Sequence, residues 1–174
     1  NIQRNLLLLA LCLFLGTGGA YAGNPPFFPA DLALGEGGEL SMAQKGVKRV
    51  DVFAPDGRSV LRSFPTYGTP TGLLAAGGKA YVTAFDTVGR LHRISLETGR
   101  TEASVVTGSG ACAPLSGPGG DRIYVCNQFQ NTVSEVDPAT MQVVRTVRVL
   151  REPRSAVFSK DGKYLFVANF LPDR

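Results

Sequence analysis

The sequence predicts an all-β chain of repeated four-stranded antiparallel units, and three observations carry that prediction. The 174 residues include 21 Gly and 11 Pro, no Trp and only 18% charged residues. That mix suits short strands and frequent turns rather than long amphipathic helices. One apolar strand signature also recurs at a near-constant interval, and turn residues recur in step with it.

The signature reads Ala80-Tyr81-Val82-Thr83-Ala84, then Ile123-Tyr124-Val125-Cys126-Asn127, then Leu165-Phe166-Val167-Ala168-Asn169. Tyr81 and Tyr124 stand 43 positions apart, and Tyr124 and Phe166 stand 42 apart. Phe53, Ile94 and Val136 follow at intervals of 41 and 42, and Gly57-Arg58 precedes Gly99-Arg100 by 42. Three columns share one period.

Each repeat divides into four strands. In the third, Ala111 to Leu115 is a first strand, closed by the turn Gly117 to Asp121, whose glycines tolerate positive φ. Arg122 to Asn127 is the second strand, Gln128 to Asn131 its loop, and Thr132 to Asp137 the third strand. After the turn Pro138 to Thr140, Gln142 to Val149 is the fourth. The next repeat begins alike, with Ser155 to Phe158, a turn at Lys160 to Lys163, and Tyr164 to Asn169. Its Asp161-Gly162 pair between apolar runs is a strong hairpin signal. The first repeat diverges most: Asp31 to Leu34, the turn Gly35 to Gly38, and Leu40 to Ala43 fill its first two strand positions.

A period of roughly 40–45 residues with four strands per unit is the arithmetic of propeller blades. Helical solenoids of similar period need a 3.6-residue apolar pattern, which is absent, and a β-sandwich has no reason to repeat its turns at a fixed interval. The expected fold is a β-propeller of four-stranded antiparallel blades, with about three and a half blades present and the ring incomplete. Residues 23–66 hold an N-terminal segment and the divergent first blade, 67–107 the second blade, 108–150 the third, and 151–174 the first half of a fourth. Full rings have roughly 4–8 blades. The sequence is therefore expected to be a fragment of a longer propeller, monomeric at full length.

Residues 1–22 differ in kind. Arg4 supplies a positive n-region, Leu6 to Leu15 an uncharged apolar run, and Ala20-Tyr21-Ala22 a small-x-small cleavage pattern. The cut is placed between Ala22 and Gly23. The apolar run is shorter than the ~20 residues a bilayer span needs. Export to the periplasm, or to the cell surface or medium, is expected, with no membrane span after cleavage. The net charge of +4 is spread along the chain, and the Lys45 to Arg49 cluster is interrupted by Gly46 and Val47, so no nucleic-acid partner is expected.

Residues 67–174 resemble the YVTN family of β-propeller repeats. The likeness is carried by Arg122 to Asn127, Asn131 to Thr140, and Ser159 to Asn169. Arg93 and Glu135 occupy a column that the family usually fills with an apolar residue, which implies looser or wetter packing at those blades. Thr83-Ala84 and Cys126 also depart from the family's Thr-Asn signature.

Cys112 and Cys126 fall on the first two strands of one blade, nearly opposite each other by the register of the hairpin. A disulfide is the preferred reading in an oxidising compartment, with two buried free thiols as the alternative. His92 is the only histidine, flanked by Arg90 and Arg93, and is expected to be a solvated surface residue. No Cys-x-x-Cys-His run, phosphate-binding glycine loop or carboxylate pair occurs, so no catalytic residue, metal ligand or cofactor is assigned within this segment.

One feature recurs after each second strand: Phe85-Asp86, Gln128-Phe129 and Asn169-Phe170. These loops cluster at one end of a propeller. They form either a contact ring for a protein or small-molecule partner, or aromatic caps over the gaps between blades; the caps are preferred, because large aromatics bury themselves. The leading functional expectation is a binding or scaffold propeller. The alternative is the propeller portion of a periplasmic oxidoreductase, cytochrome c-linked or quinoprotein dehydrogenase-like, with haem and catalytic groups beyond Arg174.

Overall fold

The computed structural model describes residues 28–171; the cleavage site at Ala22 and Gly23 lies outside them. Blade 1 contains β1 (Pro29–Leu34), β2 (Leu40–Gln44), β3 (Arg49–Phe53) and β4 (Val60–Pro65). Blade 2 contains β5 (Thr69–Ala76), β6 (Lys79–Phe85), β7 (Gly89–Ser95) and β8 (Thr101–Val106). Blade 3 contains β9 (Ala111–Ser116), β10 (Ile123–Asn127), β11 (Thr132–Asp137) and β12 (Gln142–Arg148), and blade 4 contains β13 (Pro153–Phe158) and β14 (Leu165–Asn169). Three sheets run in sequence order as antiparallel meanders of four strands, and the last has two. The chain is an all-β propeller arc, and the described residues do not close a ring.

Register explains the repeat columns. Leu40 pairs with Phe53, Ala80 with Ile94 and Ile123 with Val136, so each column pair occupies the same rung of its blade. Along each strand, alternate side chains face the preceding or the following blade. The seam between blades 1 and 2 packs Val50, Val52 and Phe64 against Leu73, Val82 and Ile94. The seam between blades 2 and 3 packs Tyr81 and Leu91 against Ala111, Ile123, Val125 and Val136. Each such side chain removed from water contributes about 1.5–3 kcal/mol, and these seams are the core. Between blades 3 and 4 the Tyr124 and Phe158 rings meet edge-on at 5.1 Å.

Tyr81, Tyr124 and Phe166 form the column that faces the following blade. Tyr81 is 8% exposed, whereas Phe166 and its register partner Val157 are each 60% exposed. Tyr81 shows what this position does when another blade covers it.

Two irregularities recur. The first strand of every blade shifts register against the second, between Pro29 and Asp31, Pro70 and Gly72, Pro153 and Ser155, and opposite Tyr124 and Cys126. In blade 3 the bulge puts Ala113 in the left-handed region at φ 48°. The third and fourth strands shift at Phe53, Ile94 and Val136. Bulges increase local twist and re-aim side chains.

Arg93 and Glu135, the charged residues in an otherwise apolar column, are accommodated by pairing. Arg93 bonds Glu102 at 3.1 Å and donates to the Pro138 and Ala139 carbonyls of blade 3. Glu135 accepts from Arg145 at 2.9 Å and faces Arg122 at 3.4 Å.

Candidate functional site

The loops that follow β2, β6, β10 and β14 come together at one end of the arc with the connections between blades. Phe85 closes β6 half-buried, and its ring meets that of Phe129 edge-on at 5.9 Å across the gap between blades 2 and 3. Phe129 remains 59% exposed. A Cβ on Gly110 would lie 2.8 Å from the Phe129 ring, so the connection between blades 2 and 3 approaches that ring closely because it carries hydrogen there. Asp86 is exposed and pairs with Lys48 of the β2–β3 loop at 3.6 Å.

On the far side, Gln128 is half-buried and its side-chain amide donates to Glu152 at 3.2 Å. Glu152 also accepts from Arg154 at 3.2 Å. The Arg154 guanidinium lies 5.0 Å from the ring centre of Phe170, a residue 67% exposed. Asn169 is half-buried, and its side-chain amide donates to the Val167 carbonyl at 3.0 Å. The six loop residues therefore occupy one end, tied together through Phe85–Phe129 and Gln128–Glu152.

Tyr67, 71% exposed, joins this end. Sequence reasoning missed it because it lies in the β4–β5 connection, outside the aligned columns; the signal was the following Gly68, whose φ of 85° bends the chain back toward Asp86. Tyr67 covers His92, with ring centroids 6.2 Å apart.

His92 corrects an expectation. It is buried at 4% exposure rather than solvated, and neither ring nitrogen has a hydrogen-bond partner. The reason is register: His92 shares a face of β7 with Ile94 and points toward blade 1. Equivalent third-strand positions hold Asp51 and Ser134, both buried. Asp51 accepts from the Gln44 side chain, and Ser134 from Asn127 at 2.8 Å. Blade 2 has Ala84 where those blades have Gln44 and Asn127, so His92 lacks that partner. Burial is the main cause that lowers its pKa, reinforced by the nearby Arg90 charge.

Cys112 and Cys126 are direct register partners on β9 and β10 and stand as free thiols. The Cys112 thiol points at the Pro153 carbonyl of blade 4 at 3.8 Å. Burial pushes both thiols up, Cys126 to about 12 with Cys112 as a further contributor. Among the described residues, no group of three or more His, Cys, Asp or Glu side chains could hold a metal ion, and no helix is long and apolar enough to cross a membrane.

No family model matches the chain, and no curated protein matches it. Solved structures do. The chain is similar to Kuenenia stuttgartiensis hydrazine synthase, with TM-score 0.76 and 17% identity over 86% of this chain and 44% of that one. It is similar to a chain of the mitotic checkpoint complex, with TM-score 0.72 and 14% identity over 81% of this chain and 46% of that one. It is also similar to the Cps50 (Swd1) beta-propeller domain of Myceliophteria thermophila, with TM-score 0.64 and 12% identity over 81% of this chain and 48% of that one. The chain thus spans about half the length of the structures it matches. The propeller fold is what these likenesses establish.

Proposed function

We propose that this chain is part of an exported binding and scaffold propeller of the YVTN repeat type, and that its loop end receives a protein or small-molecule partner. One observation carries the reading: Tyr67, Phe129 and Phe170 present largely exposed rings at a single end, beside the Lys48–Asp86 and Arg154–Glu152 ion pairs. Rigid aromatic area flanked by charge is the composition of binding surfaces, because a ring buries much apolar surface while ordering few rotatable bonds. The opposite end carries Gly-rich hairpin turns, with Tyr164 as its one largely exposed ring among the described residues. Export is supported by the leader pattern of residues 1–22, and the YVTN assignment by the Arg122 to Asn127 and Ser159 to Asn169 motifs.

Site-specific photo-crosslinking in the producing cell tests the reading. A benzophenone side chain at Phe129 is expected to give a discrete adduct, and the same group at Glu97, on the turn end, none. Equal labelling at both positions, or none at Phe129, overturns it. Cell fractionation tests export separately, with chain retained in the cytoplasm as the adverse result.

A further inference from the structure

Charges that are spread along the sequence are sorted by the fold between its two ends. At the loop end the carboxylates Asp86 and Glu152 are each held by a cation, Lys48 and Arg154, and Arg49 pairs with the buried Asp51 at 2.9 Å. Lys45, Arg90, Arg148 and Arg151 have no carboxylate within ion-pair distance among the described residues, and Lys45 and Arg90 are exposed. At the turn end the exposed cations Arg58, Arg100 and Lys160 are offset by the exposed carboxylates Glu36, Asp56 and Glu97. The excess positive charge therefore stands at the loop end, where Tyr67 and Phe129 expose their rings. Burial pushes the Cys112 thiol up; Arg154 pulls it down, Asp31 adds to the rise and Lys45 offsets it. Cations from blades 4 and 1 thus lie within electrostatic reach of one blade 3 side chain, and their fields add at the inner mouth of the arc.

We infer that the loop end takes an acidic segment of a protein partner, whose carboxylates meet Lys45, Arg90 and Arg151 while an apolar side chain between them lies on the exposed rings of Tyr67 and Phe129. The inference rests on the reading of the loop end as the binding face and names what binds there. Complementary charge steers the encounter and selects the partner, and the rings supply apolar area to bury. A polynucleotide fits this surface less well. It carries a phosphate at every residue, and Asp86 and Glu152 stand among the rings and cations, where they repel an unbroken run of anions. A peptide can space its carboxylates to miss them.

The test titrates a fluorescently labelled peptide of alternating Glu and Phe, and its Gln-for-Glu counterpart, into the 174-residue chain. The acidic peptide is expected to bind saturably and more weakly as salt rises, and the Gln peptide about tenfold less tightly. Lys45→Glu with Arg90→Glu, both at exposed positions, is expected to weaken the acidic peptide about tenfold or more, whereas Arg58→Glu with Arg100→Glu at the turn end leaves it unchanged. Equal binding of the two peptides, equal loss in both charge-reversed chains, or tighter binding of a single-stranded thymidine oligonucleotide or of phosphatidylglycerol vesicles than of the acidic peptide each overturns the inference. In the producing cell, an adduct at Phe129 that persists undiminished when Lys45 and Arg90 are reversed sinks the acidic partner but leaves the binding face standing. No adduct at Phe129 in the otherwise unaltered chain ends both.

Discussion

The Asp31 carboxylate on β1 accepts the backbone amide proton of Leu73 on β5 at 2.8 Å, tying blade 1 to blade 2 through their innermost strands. In the next gap Thr71, at the corresponding first-strand bulge, donates its hydroxyl to the Ala111 carbonyl at 2.5 Å, and the gap after that holds Cys112 facing the Pro153 carbonyl. Three chemically different side chains thus stitch onto the backbone of the following blade, Asp31 as an acceptor and Thr71 and Cys112 as donors, each spanning 40–42 positions. Asp31→Ala leaves the Leu73 amide without its partner and is expected to cost about 1–3 kcal/mol in denaturant melts. Burial is the main cause that raises the Asp31 pKa above 3.8. A raised folded-state pKa means the carboxyl's titration contributes stability that is whole below 3.8 and lost as pH rises through the folded value. The gap between wild type and alanine should therefore narrow with rising pH, and a gap that widens instead refutes the assignment.

Cys112 and Cys126 replace the Thr71–Thr83 hydroxyl pair of blade 2, which lie 3.1 Å apart. In the chain from Gly23 onward, whose cysteines are Cys112 and Cys126, oxidised glutathione is expected to close an intramolecular disulfide. The two thiols give up two protons and two electrons to the oxidant, which leaves as two reduced glutathione molecules. Because burial raises both pKa values, closure should accelerate steeply as pH rises. The bond encloses a short loop and should stabilise by about 3 kcal/mol. Intact mass showing loss of two hydrogens checks it; two titratable thiols persisting after oxidation, in denaturant, would falsify it.

His92 makes the molecule acid-sensitive. Its folded pKa is depressed, so its contribution is present above the ordinary value of 6.5 and is lost as pH falls through the depressed one. Stability should decline from about pH 6.5 downward as the unfolded chain takes up the proton first. His92→Leu fills the site without orphaned nitrogens and is expected to flatten that part of the profile at little or no cost near neutrality. Melting temperature measured against pH for both chains decides the point. An unchanged slope in the variant rules out His92 as its source.

The sequence made the blades legible because seam packing imposes a column, and columns such as Tyr81, Tyr124 and Phe166 survive substitution among large apolar residues. In blade 3 the expected strands agree with the observed ones to within a residue. The stitches were not legible: Asp31, Thr71 and Cys112 share no chemistry, and each depends on a bulge aiming it at backbone about 41 residues away. His92 was misread because Arg90 and Arg93 flank it, although the two-residue period from Ile94 already placed it on an inward face. At the loop end, Phe85, Phe129 and Phe170 stood out from the repeat, but Tyr67 did not, since blade connections vary where strands cannot.

Gly89 at the start of β7 sets how closely blades 2 and 3 approach. A Cβ there would lie 1.8 Å from the Gly108 carbonyl oxygen and 2.9 Å from the Ala111 amide nitrogen, both backbone atoms without side-chain freedom to yield. Gly89→Ala must therefore push the β8–β9 connection outward, and that movement pulls on Ala111, which accepts the Thr71 stitch and packs with Tyr81 and Leu91. Overpacking ordinarily costs about 1–3 kcal/mol, and a clash with fixed backbone belongs at or above the top of that range. By contrast, Gly120→Ala meets open space and suffers only the strain of a φ of 71°, about 1–2 kcal/mol. Chemical denaturation of the two variants should rank Gly89→Ala clearly below Gly120→Ala; the reverse order would mean that the seam between blades 2 and 3 is looser than its backbone contacts require.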